Sequence, residues 1–451
     1  MLSLQVLRER TDEVRRACAA RGVEVPLDRI IALDGQRRAL LQQVETMRAD
    51  RNQASKRIGV ARDAAERQRL IEEQRGVGGR LDALEQELAQ TQAVLDPLLL
   101  EIPNLFHPSI PIGDYDAGVI VEEGHGERVE SRPPGPRPLA GEPPAEAEPG
   151  RRPHWELGEQ LGIIDFERGV KVAGAHFYLL RGAGAQLQRA LIAWMLDVHR
   201  EQGYEEVYPP VLVKSEMLVG TGQLPKFAST MFHAEGMDLW MIPTAEVPVT
   251  NMYRGEILEV SALPLLHSAY SPCFRNEQFS AGRDVRGIMR GYQFDKVEMV
   301  QFVEPERSWD ALESLLADAV EVVRRLGFRY RVVQLASSDL SFASAMTYDI
   351  EVWAPGCGEW LEVSSVSNFL DFQARRAGLR YRAADGTARY LHTLNGSGLA
   401  LPRTVATLLE QCQRADGSVE VPAMLRPYLG GLSVIEPPSK PRRGRAATPG
   451  A

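Results

Sequence analysis

The sequence predicts an α+β fold: an N-terminal antiparallel helical hairpin, which forms a coiled-coil arm, followed by a domain built on a mainly antiparallel β-sheet flanked by helices. Three features predict it. Apolar residues follow heptad spacing through residues 28–98, prolines and glycines interrupt residues 121–153, and short alternating strands separated by helices occupy residues 154–430. Heptads indicate paired helices, whereas alternating strands mixed with helices indicate a layered domain with a sheet.

Residues 28–98 combine a helix-forming composition with two apolar seams. They are rich in Leu, Gln, Glu and Arg and contain no proline before Pro97, which favours long helices. The seams meet near residues 59–63, so we expect two antiparallel helices of about thirty residues, an arm of roughly 45 Å. Three glycines, at 76, 78 and 79, weaken the second helix and predict a bend or flexible point there. The seam residues are Ile30, Leu33, Leu40, Val44, Met47, Ala54 and Ile58, then Leu70, Val77, Leu81, Leu84, Leu88, Leu95 and Leu98, with Arg37, Arg51, Gln74 and Thr91 as polar members.

Basic residues are concentrated near the turn of this arm. A purely structural coiled coil or a dimerisation rod would satisfy the heptads equally well. A basic stripe on a projecting rod of an otherwise acidic chain, however, suits the phosphates of a polyanion such as RNA. The acids of this region are Asp50, Asp63 and Glu66, and the bases that outnumber them are Arg48, Arg51, Lys56, Arg57, Arg62, Arg67 and Arg69.

Composition and charge exclude several classes of protein. With 451 residues, 44% hydrophobic and 25% charged, the chain is long enough for two or three globular domains. Its first residues carry charges where a signal peptide needs an apolar run, and no run of about eighteen apolar residues occurs, so we expect a cytoplasmic protein with no membrane partner. The four cysteines lack the spacing of a disulfide framework or a zinc site.

The chain divides into four expected parts. The N-terminal domain with its arm covers residues 1–110, and a Pro/Gly-rich linker covers residues 111–153. The sheet domain covers residues 154–436, and a basic, proline-rich tail that we expect to be disordered covers residues 437–451. We find no internal repeat.

The stretch CFRNEQFSAGRDVRGIMRGYQFDKVEM, residues 273–299, carries unusual charge for a pair of strands. The period of two places Phe294, Lys296 and Glu298 on one strand face, with Val297 and Met299 on the other. A basic glycine-containing loop precedes this strand, and Phe294 and Glu298 would lie roughly 13 Å apart. That distance is close to the one between a nucleotide base and a group beyond its α-phosphate. A surface hairpin with salt bridges would give a similar pattern.

Several segments together resemble one family. FRNE, GRDVRG and YQFDKVEM resemble motif 2 of the class II aminoacyl-tRNA synthetases, specifically the seryl-tRNA synthetases. The resemblance extends from the N-terminus to about residue 431 and includes TGQLPKF (221–227), PTAEVPVTN (243–251), TYDIEVW (347–353), EVSSVSNFLDFQARR (362–376) and HTLNGSGLALPRT (392–404). Each segment alone is a weak signal, but their order makes a chance match very improbable.

The resemblance implies a nucleotide site and a metal site. Arg275 would hold the α-phosphate of ATP, Glu277 would meet the adenine amine, and Phe294 and Arg403 would stack on opposite faces of the adenine. Glu362 and Ser365 match the family's Mg²⁺-binding segment, so the expected cofactors are ATP and Mg²⁺. The implied catalytic residues are Arg275, Glu277, Glu362 and Arg403, and the implied ATP-binding residues are Arg275, Asn276, Glu277, Arg290, Phe294, Glu362, Val363, Ser364, Ser365 and Arg403.

The resemblance also implies an amino-acid pocket. Thr244 and Glu246 would lie near the α-amino group of the substrate, and Glu298 near its amine or hydroxyl. A pocket that hydrogen-bonds a hydroxyl rejects analogues lacking it, because its buried polar groups would go unpaired. The implied serine-binding residues are Thr244, Ala245, Glu246, Arg275, Glu298, Asn395 and Ser397.

The function that the resemblance implies is ATP-dependent activation of L-serine to seryl-adenylate and transfer of the seryl group to serine tRNA. A homodimer is also implied, with an interface near residues 184–210, although the apolar stripe Leu187, Leu191, Trp194 and Val198 by itself indicates only a core-facing helix.

One alternative is a diverged paralogue that activates serine or another small amino acid for a carrier protein, biosynthesis or inhibitor resistance. Another is a non-catalytic RNA-binding protein. Positions that depart from the family pattern are Gln278, Phe279, Tyr292, Met346 and Val366.

Overall fold

The computed structural model describes residues 1–130, 134–137, 143–144, 150–276 and 286–438. The chain folds as two compact units, Met1–Leu105 and Phe106–Ala451. Among the described residues, no helix has the length and apolar character that a membrane crossing requires. Three of the expected regions fall partly outside these ranges: the linker, the sheet domain at residues 277–285, and the C-terminal tail at residues 439–451.

The first unit is entirely helical and contains the predicted hairpin. Its two long helices pack against each other through the heptad seams, and the predicted helical hairpin is confirmed. The turn between them is residues 61–63, and the Asp63 carboxylate caps the second helix by accepting from the amides of Ala65 and Glu66. The helices of this unit are α1 (Leu4–Glu9), α2 (Thr11–Ala20), α3 (Leu27–Val60) and α4 (Ala64–Leu99).

The seams bury several of their apolar members, and one polar member, Gln74, is hydrogen-bonded across the hairpin. Ile30, Val44, Leu81 and Leu95 are each at most 1% exposed, which is the burial that makes a two-helix hairpin stable. Gln74 of α4 donates to the Ser55 hydroxyl of α3 across 2.5 Å. Helix α4 runs through its three glycines without interruption, so packing along the seam outweighs their low helix propensity.

The second unit is built on a sheet of ten strands among the described residues. The strands are β1 (Val119–His125), β2 (Arg128–Glu130), β3 (Gly135–Pro136), β6 (Glu205–Glu206), β10 (Leu265–Phe274), β11 (Gln293–Val303), β12 (Arg329–Gln334), β13 (Met346–Ala354), β14 (Glu359–Asn368) and β17 (His392–Ala400). Their order in the sheet is β2-β1-β12-β13-β14-β17-β11-β10-β6, with β3 beside β1. All pairings are antiparallel except β6 with β10, which confirms the predicted, mainly antiparallel sheet.

Helices cover the sheet and short strands complete the unit. The helices are α5 (His154–Gln160), α6 (Phe166–Ala173), α7 (Ala183–Glu201), α8 (Ser215–Thr221), α9 (Glu246–Thr250), α10 (Ser308–Arg325), α11 (Phe372–Ala377) and α12 (Leu401–Gln411). The strands outside the main sheet are β4 (Ile164–Asp165), β5 (Leu179–Leu180), β7 (Leu212–Val213), β8 (Trp240–Met241), β9 (Ile257–Glu259), β15 (Arg380–Arg382), β16 (Ala388–Tyr390), β18 (Val419–Glu420) and β19 (Val434–Ile435).

The main core lies between the sheet and helices α7, α10 and α12. The α7 stripe of Leu187, Leu191, Trp194 and Val198 is buried in this core together with strand residues such as Met299. Its members are at most 5% exposed within a single chain. The stripe is therefore used to hold α7 on the sheet.

The structure differs from the prediction in the segment expected to be a linker, residues 111–153. Strand β1 joins the main sheet there by pairing with β12 from Val119 to His125, and β2 and β3 pair with β1. Ile120 is buried, and its side chain packs in the main core. No proline of this segment lies within β1, since Pro111 precedes it and the others follow it, so the strand keeps its backbone donors.

Candidate active site

One deep cavity, of about 560 Å³, opens on the face of the sheet formed by β11, β14 and β17. The end of α8, the residues that follow β10, the first residues of α12 and loop residues within 227–231, 243–244, 289–291 and 341–343 also line it. Strand β11 supplies Phe294, Lys296 and Glu298, which alternate with core residues as the period of two requires. The charge of the stretch 273–299 is thus explained in part: one face of β11 is a cavity wall.

The structure places most of the sequence-predicted site residues on this wall. They are Thr244, Glu246, Arg275, Asn276, Arg290, Phe294, Glu298, Glu362, Val363, Ser365, Asn395, Ser397 and Arg403. Ala245 is fully buried in a separate apolar cluster behind the wall. Ser364 points into the sheet and donates to the carbonyl of Ser397 across 2.6 Å. Glu277 lies outside the described residues.

A bulge in β14 decides which of its residues face the cavity. Residues three apart on a regular strand point to opposite faces, but Glu362 and Ser365 both line the cavity. The register jumps from Ile350↔Ser364 to Glu351↔Glu362, which leaves Val363 as the extra residue. A bulge re-aims the side chains that follow it, so Glu362 and Ser365 share a face while Ser364 does not.

At one end of the cavity, Glu298 is the centre of a buried polar cluster. Its carboxylate accepts from the Thr244 hydroxyl at 3.0 Å and from the Asn395 amide at 3.1 Å. Lys296, two residues earlier on the same face, forms a salt bridge with it. Glu298 is 1% exposed and Lys296 6%. A small cluster of this kind, with donors and acceptors close together, can bind a short polar ligand that carries an amine and a hydroxyl.

A second carboxylate, Glu246, lies beside this cluster and is held from behind. The Gln373 amide of α11 donates to it at 2.6 Å, and the Thr393 hydroxyl fixes Gln373 by donating at 2.7 Å. Burial and the negative charge of Glu298 together raise the pKa of Glu246 to about 7, although the Gln373 hydrogen bond acts in the opposite direction. A carboxylate with such a pKa is stabilised in its charged form by a bound ammonium group.

At the other end, arginines and an aromatic ring form a surface suited to a nucleotide. The Arg275 guanidinium carbon lies 5.2 Å from the centre of the Phe294 ring, and its Nε donates to the carbonyl of Pro243 at 3.4 Å. Arg403, in the first turn of α12, donates to the backbone carbonyl of Glu362 at 2.7 Å and to its carboxylate at 3.3 Å. Cations next to an exposed aromatic face can bind both phosphates and a base.

The carboxylate of Glu362 is suited to hold a cation together with Ser365. The surrounding protein would raise the pKa of Glu362, but the positive charges of Arg403 and Arg275 outweigh it and the pKa is lowered. Its side chain is 45% exposed to the cavity. Behind it, burial and the charge of Glu362 raise the pKa of Asp349, while its hydrogen bond with Ser365 lowers it. Carboxylate and hydroxyl oxygens are the donors that Mg²⁺ prefers, so these residues fit that ion.

The positions that depart from the family pattern lie outside the wall where the structure describes them. Met346 and Val366 are buried in the main core, and Tyr292 stacks on the His176 ring with centroids 4.7 Å apart. Gln278 and Phe279 are not among the described residues. The three described departures leave the side chains of the cavity in place.

Sequence reasoning missed two residues of the site. Lys296 carried a signal, because it shares a strand parity with Phe294 and Glu298, yet its salt bridge with Glu298 was not expected. Gln373 carried none, because it reaches Glu246 from a helix 127 residues away along the chain. A hydrogen bond over such a separation is fixed by tertiary packing and has no local sequence pattern.

Comparison with known families divides the chain in the same way as its fold. Residues 1–106 match the seryl-tRNA synthetase N-terminal domain. Residues 230–412 match the class II core domain of the tRNA synthetases for G, H, P, S and T. The first match contains the whole arm, and the second contains most of the cavity wall.

Full-length relatives and a solved structure lead to the same family. The chain is 53% identical to a serine–tRNA ligase of Thermomicrobium roseum, with 99% of this chain and 98% of that protein covered. It is also 53% identical to a serine–tRNA ligase of Chloroflexus aurantiacus, over 97% of this chain and all of that protein. The seryl-tRNA synthetase from Pyrococcus horikoshii, solved in complex with ATP, superposes with a TM-score of 0.87 at 34% identity, covering 97% of this chain and 100% of that one.

Proposed function

The chain belongs to the seryl-tRNA synthetase family, and from this premise we propose how its cavity and arm divide the reaction. The chain activates L-serine with ATP to give seryl-adenylate and pyrophosphate, and then transfers the seryl group to serine tRNA. Serine and ATP bind in the cavity of the second unit. The arm of the first unit binds the tRNA.

The observation that carries this proposal is the arrangement of opposite charges within one cavity. Glu246 and Glu298 would take the ammonium and hydroxyl groups of serine, and Phe294 would take the adenine of ATP. The charge of Arg275 acts on both Glu246 and Glu362, so its guanidinium lies near both groups of residues, where the α-phosphate would bind. The serine carboxylate attacks the α-phosphorus of ATP in line with the leaving pyrophosphate. Arg275 stabilises the negative charge that develops on the phosphoryl oxygens, and Phe294 and Arg403 hold the adenine.

Glu362 and Ser365 would hold Mg²⁺ at the nucleotide end. When bound, the ion neutralises phosphate charge and orients the pyrophosphate leaving group. Arg403 already contacts Glu362, so it keeps this carboxylate ionised and fixed. Asn276, Arg290 and Val363 complete the nucleotide side of the wall.

The serine side selects by hydrogen bonds. Thr244 and Asn395 orient the Glu298 carboxylate by donating to it, and Ser397 lies next to Asn395 on the same strand face. A substrate without a hydroxyl would leave some of these buried groups unpaired, at a cost of about 1–3 kcal/mol for each lost partner. The pocket therefore favours serine over alanine and glycine.

The carrier-protein paralogue is not favoured as an alternative. Relatives that are 53% identical across nearly the whole chain are serine–tRNA ligases, and the family-specific N-terminal domain is present. A non-catalytic RNA-binding protein would be expected to lose Arg275, Glu362 or Arg403. All three line the cavity. The tRNA substrate supports the cytoplasm as the place where the chain works.

A homodimer through the second unit is also part of the proposal. Apolar side chains are exposed on α6, on β5, which packs against it, and farther along the chain at residues 208 and 212, and a partner subunit could cover them. They are Val170, Val172, Leu179, Tyr208 and Leu212. Light scattering of the purified protein tests this point, and a monomer at micromolar concentration would contradict it.

Amino-acid-dependent pyrophosphate exchange tests the activation step. Across the twenty amino acids, we expect serine to give the fastest exchange. Glu298→Ala should lower kcat/KM for serine by about 100-fold, since it removes the carboxylate that three side chains hold in the pocket, while the Kd for ATP changes by less than about threefold. Glu313→Ala, which removes a glutamate outside the cavity that accepts from Tyr348, is the control. Equal exchange with alanine or glycine would contradict the serine assignment.

A further inference from the structure

A buried polar cluster outside the cavity joins α5, α12 and the turn after β13. Its centre is the carboxylate of Glu410, near the end of α12, which is fully buried beside His154. The donors to this carboxylate are the amides of His154 (2.9 Å), Gly356 (2.7 Å) and Cys357 (3.0 Å), the imidazole Nδ1 of His154 (2.8 Å) and the thiol of Cys357 (3.0 Å).

These three side chains approach one another closely enough to suggest a metal site, but the hydrogen bonds exclude it. The Nε2 atom of His154 lies 3.2 Å from the amide nitrogen of Ile288. An amide can only donate, so Nε2 must be the unprotonated acceptor and Nδ1 must carry the proton that it donates to Glu410. A metal at Nδ1 would need the opposite tautomer. The cluster is therefore a hydrogen-bond relay from Glu410 through His154 to the backbone of Ile288.

The chain next to Ile288 is shaped to accept this contact. Gly287 has φ +83° and packs so closely on the His154 ring that an added Cβ would lie 2.0 Å from Nε2. The guanidinium of Arg286 lies 4.9 Å from the centre of the Trp155 ring. Two consecutive residues of α5 thus hold three consecutive residues, 286–288.

The segment that the relay holds leads directly into the cavity wall. Met289, Arg290 and Gly291 follow Ile288 and line the cavity. Helix α12 also reaches the cavity, because Arg403 in its first turn lines it. Arg403 and Glu410 lie about 10 Å apart along this one helix. Helix α12 therefore supports the cavity wall at two places, directly through Arg403 and indirectly through Glu410 and His154.

We propose that His154 and Glu410 are positioning residues for ATP: their relay fixes the backbone of Ile288 and so places Arg290 in the cavity wall. This inference rests on the proposed function, because it assigns ATP to that end of the cavity. It predicts that a lost contact at Ile288 weakens ATP binding while the serine pocket, which contains neither residue, keeps its affinity.

Two replacements of His154 separate the two halves of the relay. In His154→Gln, the side-chain oxygen can occupy the Nε2 position and accept from Ile288. In His154→Asn, the shorter amide can donate to Glu410 but leaves the Ile288 amide without its partner. An unsatisfied buried donor corresponds to about a tenfold loss of affinity. We expect His154→Asn to raise both KM and Kd for ATP about tenfold, His154→Gln to raise them less than about threefold, and both variants to keep the KM for serine within about twofold.

Gly287→Ala tests the same contact from the other side. Its Cβ would displace the His154 ring, so the Kd for ATP should rise as in His154→Asn. Gly386→Ala is the matched control, because Gly386 has a similar φ of +80° with nothing within 4 Å of the added Cβ. Thermal unfolding of all four variants records any general loss of stability.

The measurements are serine-dependent pyrophosphate exchange and equilibrium titration with a non-hydrolysable ATP analogue. Equal ATP affinity of the Asn and Gln variants, or parallel losses for ATP and serine, would overturn the inference. Absence of serine-dependent exchange in the wild-type protein would instead overturn the proposed function. In that case the titration alone still decides whether His154 positions the nucleotide end.

Discussion

The tip of the arm and the wall of the cavity both carry many charges, but they hold them differently. In the cavity, Lys296 is paired with Glu298 and Arg403 with Glu362. At the arm tip, Arg51, Lys56 and Arg57 are exposed, and the described part of the chain shows no salt bridge to any of them. Paired, oriented charges suit one small substrate of fixed geometry. Unpaired charges on a projecting helix suit a polyanion, whose counterions they replace.

Because of this difference, we expect mutations in the cavity and mutations at the arm tip to have different effects on stability. Removing one partner of a buried pair leaves an uncompensated charge in the protein interior, which costs about 3–5 kcal/mol. Removing an exposed, unpaired cation changes folding stability by less than about 0.5 kcal/mol. We therefore expect the loss of Lys296 or Glu298, which form the buried pair, to affect chemistry and stability together, and substitutions at the arm tip to affect only the binding of RNA.

The largest effect should follow the loss of the phosphate-binding cation. Arg275→Ala removes the guanidinium next to Phe294, and we expect serine-dependent pyrophosphate exchange to fall about 100- to 1,000-fold, because no other donor replaces it at the developing charge. Arg254→Ala is the control. Arg254 is on the same unit and forms a salt bridge with Glu216 at 3.6 Å, away from the cavity. Exchange that survives in Arg275→Ala would assign the nucleotide to another part of the wall.

Shortening the arm should impair the charging of tRNA and leave pyrophosphate exchange intact, unlike Arg275→Ala. Deleting residues 48–76 and joining Met47 to Val77 with a short glycine-rich linker keeps the base of the hairpin, including buried Asp34 and its salt bridge with Arg8. We expect pyrophosphate exchange within about twofold of wild type and charging of serine tRNA lowered by about 100-fold or more, because the stripe of phosphate-binding cations is gone. Charging at the wild-type rate would show that the arm does not serve RNA binding.

Neutralising the arm cations should have a smaller and more specific effect. In Arg51→Gln, Lys56→Gln and Arg57→Gln combined, tRNA affinity should fall about 10- to 100-fold at physiological salt, and the slope of log affinity against log salt should flatten by up to about three units. Arg48 is left in place because it bonds Glu85 of the same arm at 2.8 Å. A control with the same change in net charge replaces Arg168, Arg389 and Arg414, which form salt bridges in the second unit. An unchanged salt slope in the arm variant would contradict phosphate binding there.

The same contrast explains what the sequence could predict. The arm repeats a local pattern, so heptad spacing alone located both helices and the turn between them. The cavity combines residues from Thr221 to Arg403, and their assignment depended on resemblance to a family. The alternation of side chains along a strand correctly placed the β11 residues on one face. The same rule would place Glu362 and Ser365 on opposite faces. It fails there because the bulge at Val363 depends on the register between two strands, which the sequence of one strand does not show.

Local signals also failed for residues 119–130, because the prolines that begin at Pro133 led to a linker prediction that included strands β1 and β2. Strands β1 and β2 form a local hairpin, but the pairing of β1 with β12 joins residues more than two hundred positions apart along the chain. The Glu246–Gln373 and His154–Ile288 hydrogen bonds have the same origin. Each joins two segments that are ordinary by themselves, so only the folded chain shows the contact.

The smallest expected effect is a pH dependence that comes from protonation of the Glu246 carboxylate in the cavity. The exposed cations of the arm tip should show no such dependence. The pKa of Glu246 is raised from 4.5 to about 7 by burial and by Glu298, while Lys296 and Arg275 also face it and act in the opposite direction. A raised carboxyl pKa costs folding free energy as pH rises between the two values. Without serine, Glu246 should therefore contribute a fall in the free energy of unfolding as pH increases from about 4.5 to about 7, and Glu246→Gln should remove this contribution while leaving that of Asp318, whose pKa is raised to about 6 by burial.

Bound serine should shift Glu246 from its protonated to its ionised form, because the ammonium group of serine stabilises the ionised carboxylate. We expect the affinity for serine to rise up to about tenfold between pH 6 and pH 8, since the ionised fraction of a group with a pKa near 7 rises by about that factor. Isothermal titration in buffers of different ionisation enthalpy should detect about one proton released per serine bound at pH 6. Glu246→Gln should bind serine more weakly, with no such proton release. A pH-independent affinity in the wild-type protein would mean that Glu246 does not contact the ammonium group, and the charge at that end of the cavity would then be set by Glu298 alone.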